Sequence, residues 1–117
     1  LAVELTLTHS EFASLYGSLI HAKFGNEVRP EIYTNPNINA IISALLEAAE
    51  TMGPSTDWMK NASSVEVGAG PLPIHENFET IAHEVAVHSK TETEYLHNLK
   101  AAVHPYKWES NRPKFSS

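Results

Sequence analysis

Asn35 to Gly53, reading NPNINAIISALLEAAETMG, leaves the chain less freedom than any other segment. Asn35 has a side chain suited to cap a helix, and Pro36 follows at the first helical position, where its missing N–H costs nothing. Ile38, Ile41, Ile42, Leu45, Leu46, Ala49 and Met52 then form a broad apolar stripe that ends at Gly53. The spacing predicts a helix that must be covered on one face. With 117 residues and 12.9 kDa, the chain is long enough for one domain with one hydrophobic core.

The rest of the composition bounds the partners. Hydrophobic residues at 42% and charged residues at 19% fit a globular fold rather than a disordered tail. The formal charge of -6 offers no basic face to a nucleic-acid backbone or an anionic membrane, so neither is expected as a partner. Without cysteine there is no disulfide framework, thiolate zinc site or cysteine nucleophile. No apolar run reaches the roughly 20 residues of a membrane span, and the start at Leu1 lacks the basic-then-apolar pattern of a signal peptide. A cytoplasmic location is the expectation.

Leu1 to Thr8 alternates apolar and polar residues and reads as a half-buried strand. Thr8 and Glu11 make a capping box ahead of a helix carrying Phe12, Leu15, Leu19 and Phe24, with Gly25 as its left-handed terminator. Asn26 to Thr34 contains a proline and reads as a link or edge strand. From Ser64 a different order appears. A strand to Val67 meets two glycines; Ile74, Phe78, Ile81 and Ala82 recur at helical spacing; HEVAVHS alternates as a strand; and TETEYLHNLKAAV is a helix stopped by Pro105. Strand, glycine turn, helix, strand and helix make a parallel βαβ unit with a right-handed crossover. A rival reading joins Glu76 to His104 in one long helix. The expected fold class is therefore α/β, a single domain over residues 1–117, with 1–53 a helical cap and 54–117 a cofactor-type βαβ unit.

A strand that ends in glycine and feeds a helix brings bare backbone amides to the edge where α/β folds bind ligands. Val65 to Pro71, VEVGAGP, resembles the first motif of class I S-adenosylmethionine-dependent methyltransferases. With the flanking NPNINAIISALLEAAETM, HEVAVHSKTETEYLHNLKAAV and YKWES, it looks like the amino-terminal half of the phenylethanolamine and nicotinamide N-methyltransferase family. The resemblance implies an incomplete Rossmann-like fold and a module for N-methyl transfer to a small amine. It implies that Glu66 faces the methionine amino group of S-adenosylmethionine, that Gly68, Ala69 and Gly70 line the cofactor, and that His88 stands at the ribose. The family has an acid where this chain has His88, and Leu72 and Pro73 also depart from its pattern. The later strands of such a sheet are missing. A sheet cut short exposes an edge, so a homo-oligomer or a partner subunit is expected.

Two other readings stand beside this one: a non-catalytic assembly or regulatory protein derived from a methyltransferase, and a ferredoxin-like oligomeric metal-binding protein. His104-Pro105-Tyr106 is similar to a segment that follows a helix in ferredoxin-fold copper-tolerance proteins. His75, His83, His88, His97 and His104 fall in the last 43 residues, with Glu76 and Glu84 as further donors, but no two of these histidines stand one helical turn apart, and no metal ligands are assigned. Tyr16, Tyr33 and Trp58 either edge an amine pocket or fill the core. No residue is assigned as a general base.

Overall fold

The computed structural model describes residues 2–25, 27–68 and 76–115. Helix α1, His9–Phe24, begins at the capping box: the Thr8 hydroxyl accepts from the Glu11 amide at 3.1 Å, and the Glu11 carboxylate accepts from the Thr8 amide at 2.9 Å. A single turn, α2 (Pro30–Tyr33), starts on its proline. Helix α3, Pro36–Ala49, is capped by Asn35, whose side-chain oxygen accepts from the Asn37 amide at 2.9 Å. Gly53 then takes a φ of 80°, which residues with a Cβ avoid, and turns the chain into a 3-10 turn, Pro54–Thr56, and α4, Asp57–Ser64. Helix α5 spans Glu76–Val87. Helix α6 spans Glu92–Val103, with the Thr91 hydroxyl accepting from the Glu94 amide at 3.1 Å.

These helices enclose two hydrophobic clusters. One gathers Phe12 and Tyr16 of α1, Ile42, Leu45 and Ala49 of α3, and Met59 of α4. The other forms where α5 and α6 pack together, through Phe78, Ile81, Val85, Tyr95, Leu99 and Val103. Phe24, Tyr33 and Trp108 complete it. Ile20 packs against both clusters and ties them together. Beyond α6 the chain runs back across it. The Tyr95 hydroxyl donates to the Pro113 carbonyl at 2.6 Å, and the Phe115 ring lies 5.7 Å from that of Tyr95. Trp58, 51% exposed, meets Tyr16 edge-on at 5.9 Å and only partly covers the first cluster.

The expected α/β class is overturned: among the described residues there is no strand, only a single parallel bridge between Glu66 and Lys107. HEVAVHS belongs to α5. Phe78, Ile81, Ala82 and Val85 are buried at helical spacing while Val87 is 65% exposed, so the longer 3.6-residue period prevails over a brief alternation. The one-helix alternative fails as well, because the chain breaks after Val87 and Thr91 caps a new helix. Residues 2–8 form no strand; Leu7 packs on the first cluster while Val3 and Leu5 stay exposed. Asn26 lies outside the described residues, and Pro30–Tyr33 is helical rather than extended. Gly25 has a φ of -75°, not the left-handed value expected of it. Without a βαβ unit the Rossmann-like description fails, and the exposed-edge argument for self-association goes with it. No helix among the described residues is long and apolar enough to cross a membrane.

Candidate functional site

A groove between α2, α5 and α6 brings together Tyr33, Glu84, His88 and Asn98. Tyr33 places its ring in the second cluster, and its hydroxyl donates to the Glu84 carboxylate on α5 at 2.7 Å. Burial first, then that hydrogen bond and the charges of Glu84 and Glu31, hold the Tyr33 phenol far above its ordinary value. Tyr33 is thus a fixed donor at neutral pH. His88 follows Glu84 by one turn and stands on the same side, its amide still bonded to the Glu84 carbonyl at 3.1 Å. Across the groove, Asn98 of α6 reaches the Ser89 hydroxyl at 3.4 Å, and that hydroxyl donates to the Val85 carbonyl at 2.6 Å. The cavity has a volume of about 370 Å³, and Pro30, Val85 and Ala101 give it apolar walls.

Glu66 is elsewhere and is already occupied. Its carboxylate accepts from the backbone amides of Glu109 and Ser110 and, at 3.0 Å, from the Ser110 hydroxyl. The Val67 amide adds a bond to the Lys107 carbonyl at 2.7 Å. The Ser110 amide is the main influence that lowers the Glu66 pKa, with the Glu109 amide, the Ser110 hydroxyl and the Arg112 charge acting in the same direction against partial desolvation. The acid expected to hold a cofactor amine instead clips the carboxy-terminal segment to the loop after α4. Gly68, with a φ of 91°, stands in the turn that begins after Glu66. Ala69 and Gly70, expected beside it as cofactor-lining residues, lie outside the described residues, as does His75. Glu66 and His88 line no common cavity among those described. The structure divides the expected cofactor set between a clip and a groove.

A third polar cluster sits where α1, α3 and the end of α6 meet. Lys23 is fully buried, and its ammonium donates to Asn39 Oδ1 at 2.6 Å, to the His104 carbonyl at 2.7 Å and to the Ala101 carbonyl at 3.4 Å. These carbonyls end α6 and lack helical partners, so a cation suits them. Burial pushes Lys23 down to about 7, against the pull of those three acceptors. Burial and then the Lys23 charge lower His104 too, and its Nε2 lies 2.9 Å from the Ser43 hydroxyl. All three ammonium protons are committed and the group is sealed from solvent. The cluster joins helices rather than binding a ligand.

Chemically, then, the groove offers a partly accessible carboxylate with a fixed donor beside it. One Glu84 oxygen takes the Tyr33 hydroxyl, and the other has no hydrogen bond among the described residues. Glu84 and His88 make a two-donor pair, but no group of three or more metal-ligating side chains stands among the described residues. Sequence reasoning named Tyr33 as either core or pocket edge, and it is both. The Tyr33–Glu84 pairing had no local signal, because the partners lie 51 residues apart in the chain. Compared with family models, curated proteins and solved structures, the chain matches none of them.

Proposed function

We propose that this is a small helical binding protein whose α2–α5–α6 groove takes a compact organic cation, such as a primary or N-methylated amine, with Glu84 as the counter-charge. The observation that carries this reading is the Tyr33–Glu84 hydrogen bond at 2.7 Å, set in a cavity of about 370 Å³. Tyr33 holds one carboxylate oxygen in place and leaves the other for an N–H or a methylated nitrogen. Pro30, Val85 and Ala101 accept the apolar body of the ligand, and Asn98 and His88 provide polar groups at the rim. The volume falls within the roughly 300–1,000 Å³ of small-molecule sites.

Calorimetric titration with phenethylamine, its N-methyl derivative and the neutral isostere phenylethanol tests the reading. The amines are expected to bind and the alcohol to bind at least about tenfold more weakly, because a charge-assisted hydrogen bond is lost. Glu84→Gln should weaken the amines by a similar factor while keeping the helical circular dichroism. Equal affinity of amine and alcohol, or of parent and Glu84→Gln, refutes it. S-adenosylhomocysteine belongs in the same series. Saturable binding of that compound, removed by Gly68→Val and spared by Glu84→Gln, would favour the glycine segment as a cofactor site instead.

A further inference from the structure

The carboxy-terminal segment makes a second cleft against the opposite side of α6. Leu96, Leu99 and Val103 form one wall along the helix, and Trp108 forms another, enclosing a volume of about 230 Å³. Three cations stand around it, Lys100, Lys107 and Arg112, against one carboxylate among the described lining residues, Glu109. That local excess of positive charge runs against a chain whose formal net charge is -6. Arg112 is partly engaged, since its guanidinium reaches the Trp108 carbonyl at 3.4 Å and its charge is felt by Glu66. Lys100 and Lys107 have no ion pair and no side-chain hydrogen bond among the described residues. The Glu66 clip sets the geometry, because it fixes the backbone at Lys107, Glu109 and Ser110 and so holds the cationic rim over the apolar wall.

We propose that this cleft binds a monocarboxylate with a short apolar body, of the medium-chain alkanoate class, with the carboxylate among Lys100, Lys107 and Arg112 and the chain against Leu96, Leu99 and Trp108. An apolar slot with more cations than carboxylates at its mouth selects an amphiphilic anion over both a neutral lipid and a bare inorganic anion. The volume lies below the roughly 300 Å³ at which drug-sized sites begin, which favours a slim chain. The site is separate from the Tyr33–Glu84 groove and does not depend on it.

The test is a fluorescence titration with octanoate in a Trp58→Phe background, where Trp108 is the only tryptophan. Saturable change in Trp108 emission is expected. Affinity should rise roughly fourfold per methylene from butyrate through hexanoate, until the cleft is full. Octanol should bind at least fivefold more weakly than octanoate. Lys100→Gln, an exposed helical change that leaves the clip intact, should weaken octanoate at least threefold, and Lys100→Gln with Arg112→Gln more. Glu84→Gln should leave octanoate affinity unchanged, which separates this site from the amine groove. The proposal is overturned if emission does not saturate at millimolar octanoate. It is overturned equally if octanol matches octanoate, or if the folded Lys100→Gln variant binds as the parent does.

Discussion

Around Ile42, Ala49 and Met59 the interior is mostly aliphatic, and its hydroxyls find partners within it: Tyr16 meets Ser63 at 3.0 Å, and Thr56 donates to the Ala49 carbonyl at 2.9 Å. Around Phe78 and Tyr95 the interior is richer in aromatic rings, and its tyrosine hydroxyls lie at the margin. Tyr33 turns its hydroxyl to Glu84, Tyr95 reaches the carboxy-terminal segment at Pro113, and the Trp108 indole N–H is buried with no acceptor among the described residues. The first cluster satisfies these hydroxyls internally. In the second, Tyr33 and Tyr95 each carry a polar tip on a large apolar body, and that tip reaches the edge of the cluster to be satisfied, whereas the Trp108 tip does not. Both proposed sites lie along this second cluster.

The largest test of this contrast is truncation in each core. Ile42 and Ile81 are each 0% exposed, and replacement of either by alanine should cost about 2–5 kcal/mol in urea unfolding. Ile20 touches both clusters, so both variants are expected to keep one cooperative transition. Two separated transitions in either variant would show the halves to be independent. Next in size is the pH response of the junction between them. Lys23 falls from its ordinary 10.5 to about 7 on folding, so across that interval the unfolded chain binds more protons and stability rises with pH. The slope should not exceed about 1.4 kcal/mol per pH unit for one such group. Lys23→Met should flatten the rise above pH 7; an unchanged slope would place its origin elsewhere.

Helix caps supply a smaller comparison. Thr8→Ala in the aliphatic half and Thr91→Ala in the aromatic half each remove one capping acceptor, and each should cost about 1 kcal/mol. In Thr8→Ala the reciprocal bond from the Thr8 amide to the Glu11 carboxylate keeps its donor, so the two losses are expected to be similar. The smallest global effect belongs to Glu66→Ala. Circular dichroism should be unchanged, while the Glu109 and Ser110 amides lose their protection from hydrogen exchange. Retained protection at both amides would remove the clip from the account.

Legibility follows the same division. Asn35-Pro36, Thr8 with Glu11, and Thr91 announce helices because caps and stripes act within a few residues, and α1, α3 and α6 start where those signals stand. The error lay where short patterns compete. Val85 and Val87 fit a strand over four residues, but Phe78, Ile81, Ala82 and Val85 fit a helix over eight, and packing against α6 decides for the longer run. VEVGAGP misled for another reason. A glycine with positive φ is needed by any tight turn, and Glu66 finds its partners at positions 43 and 44 residues further on, which no local pattern encodes. The grooves were legible only as ingredients: Tyr33, Glu84 and His88 were each noticed, but tertiary packing alone brings them together.

The clip at Glu66 also orders events in time. It closes a ring of chain that contains both α5 and α6, and its partners are far apart in sequence, whereas the two helices are near neighbours. Loop closure over that span returns nothing until the helix pair has docked and brought residues 109 and 110 within reach. The clip should therefore form late, after the rate-limiting step. Glu66→Ala is expected to leave the folding rate unchanged and to quicken unfolding, making this carboxylate a brake on opening rather than a guide to folding.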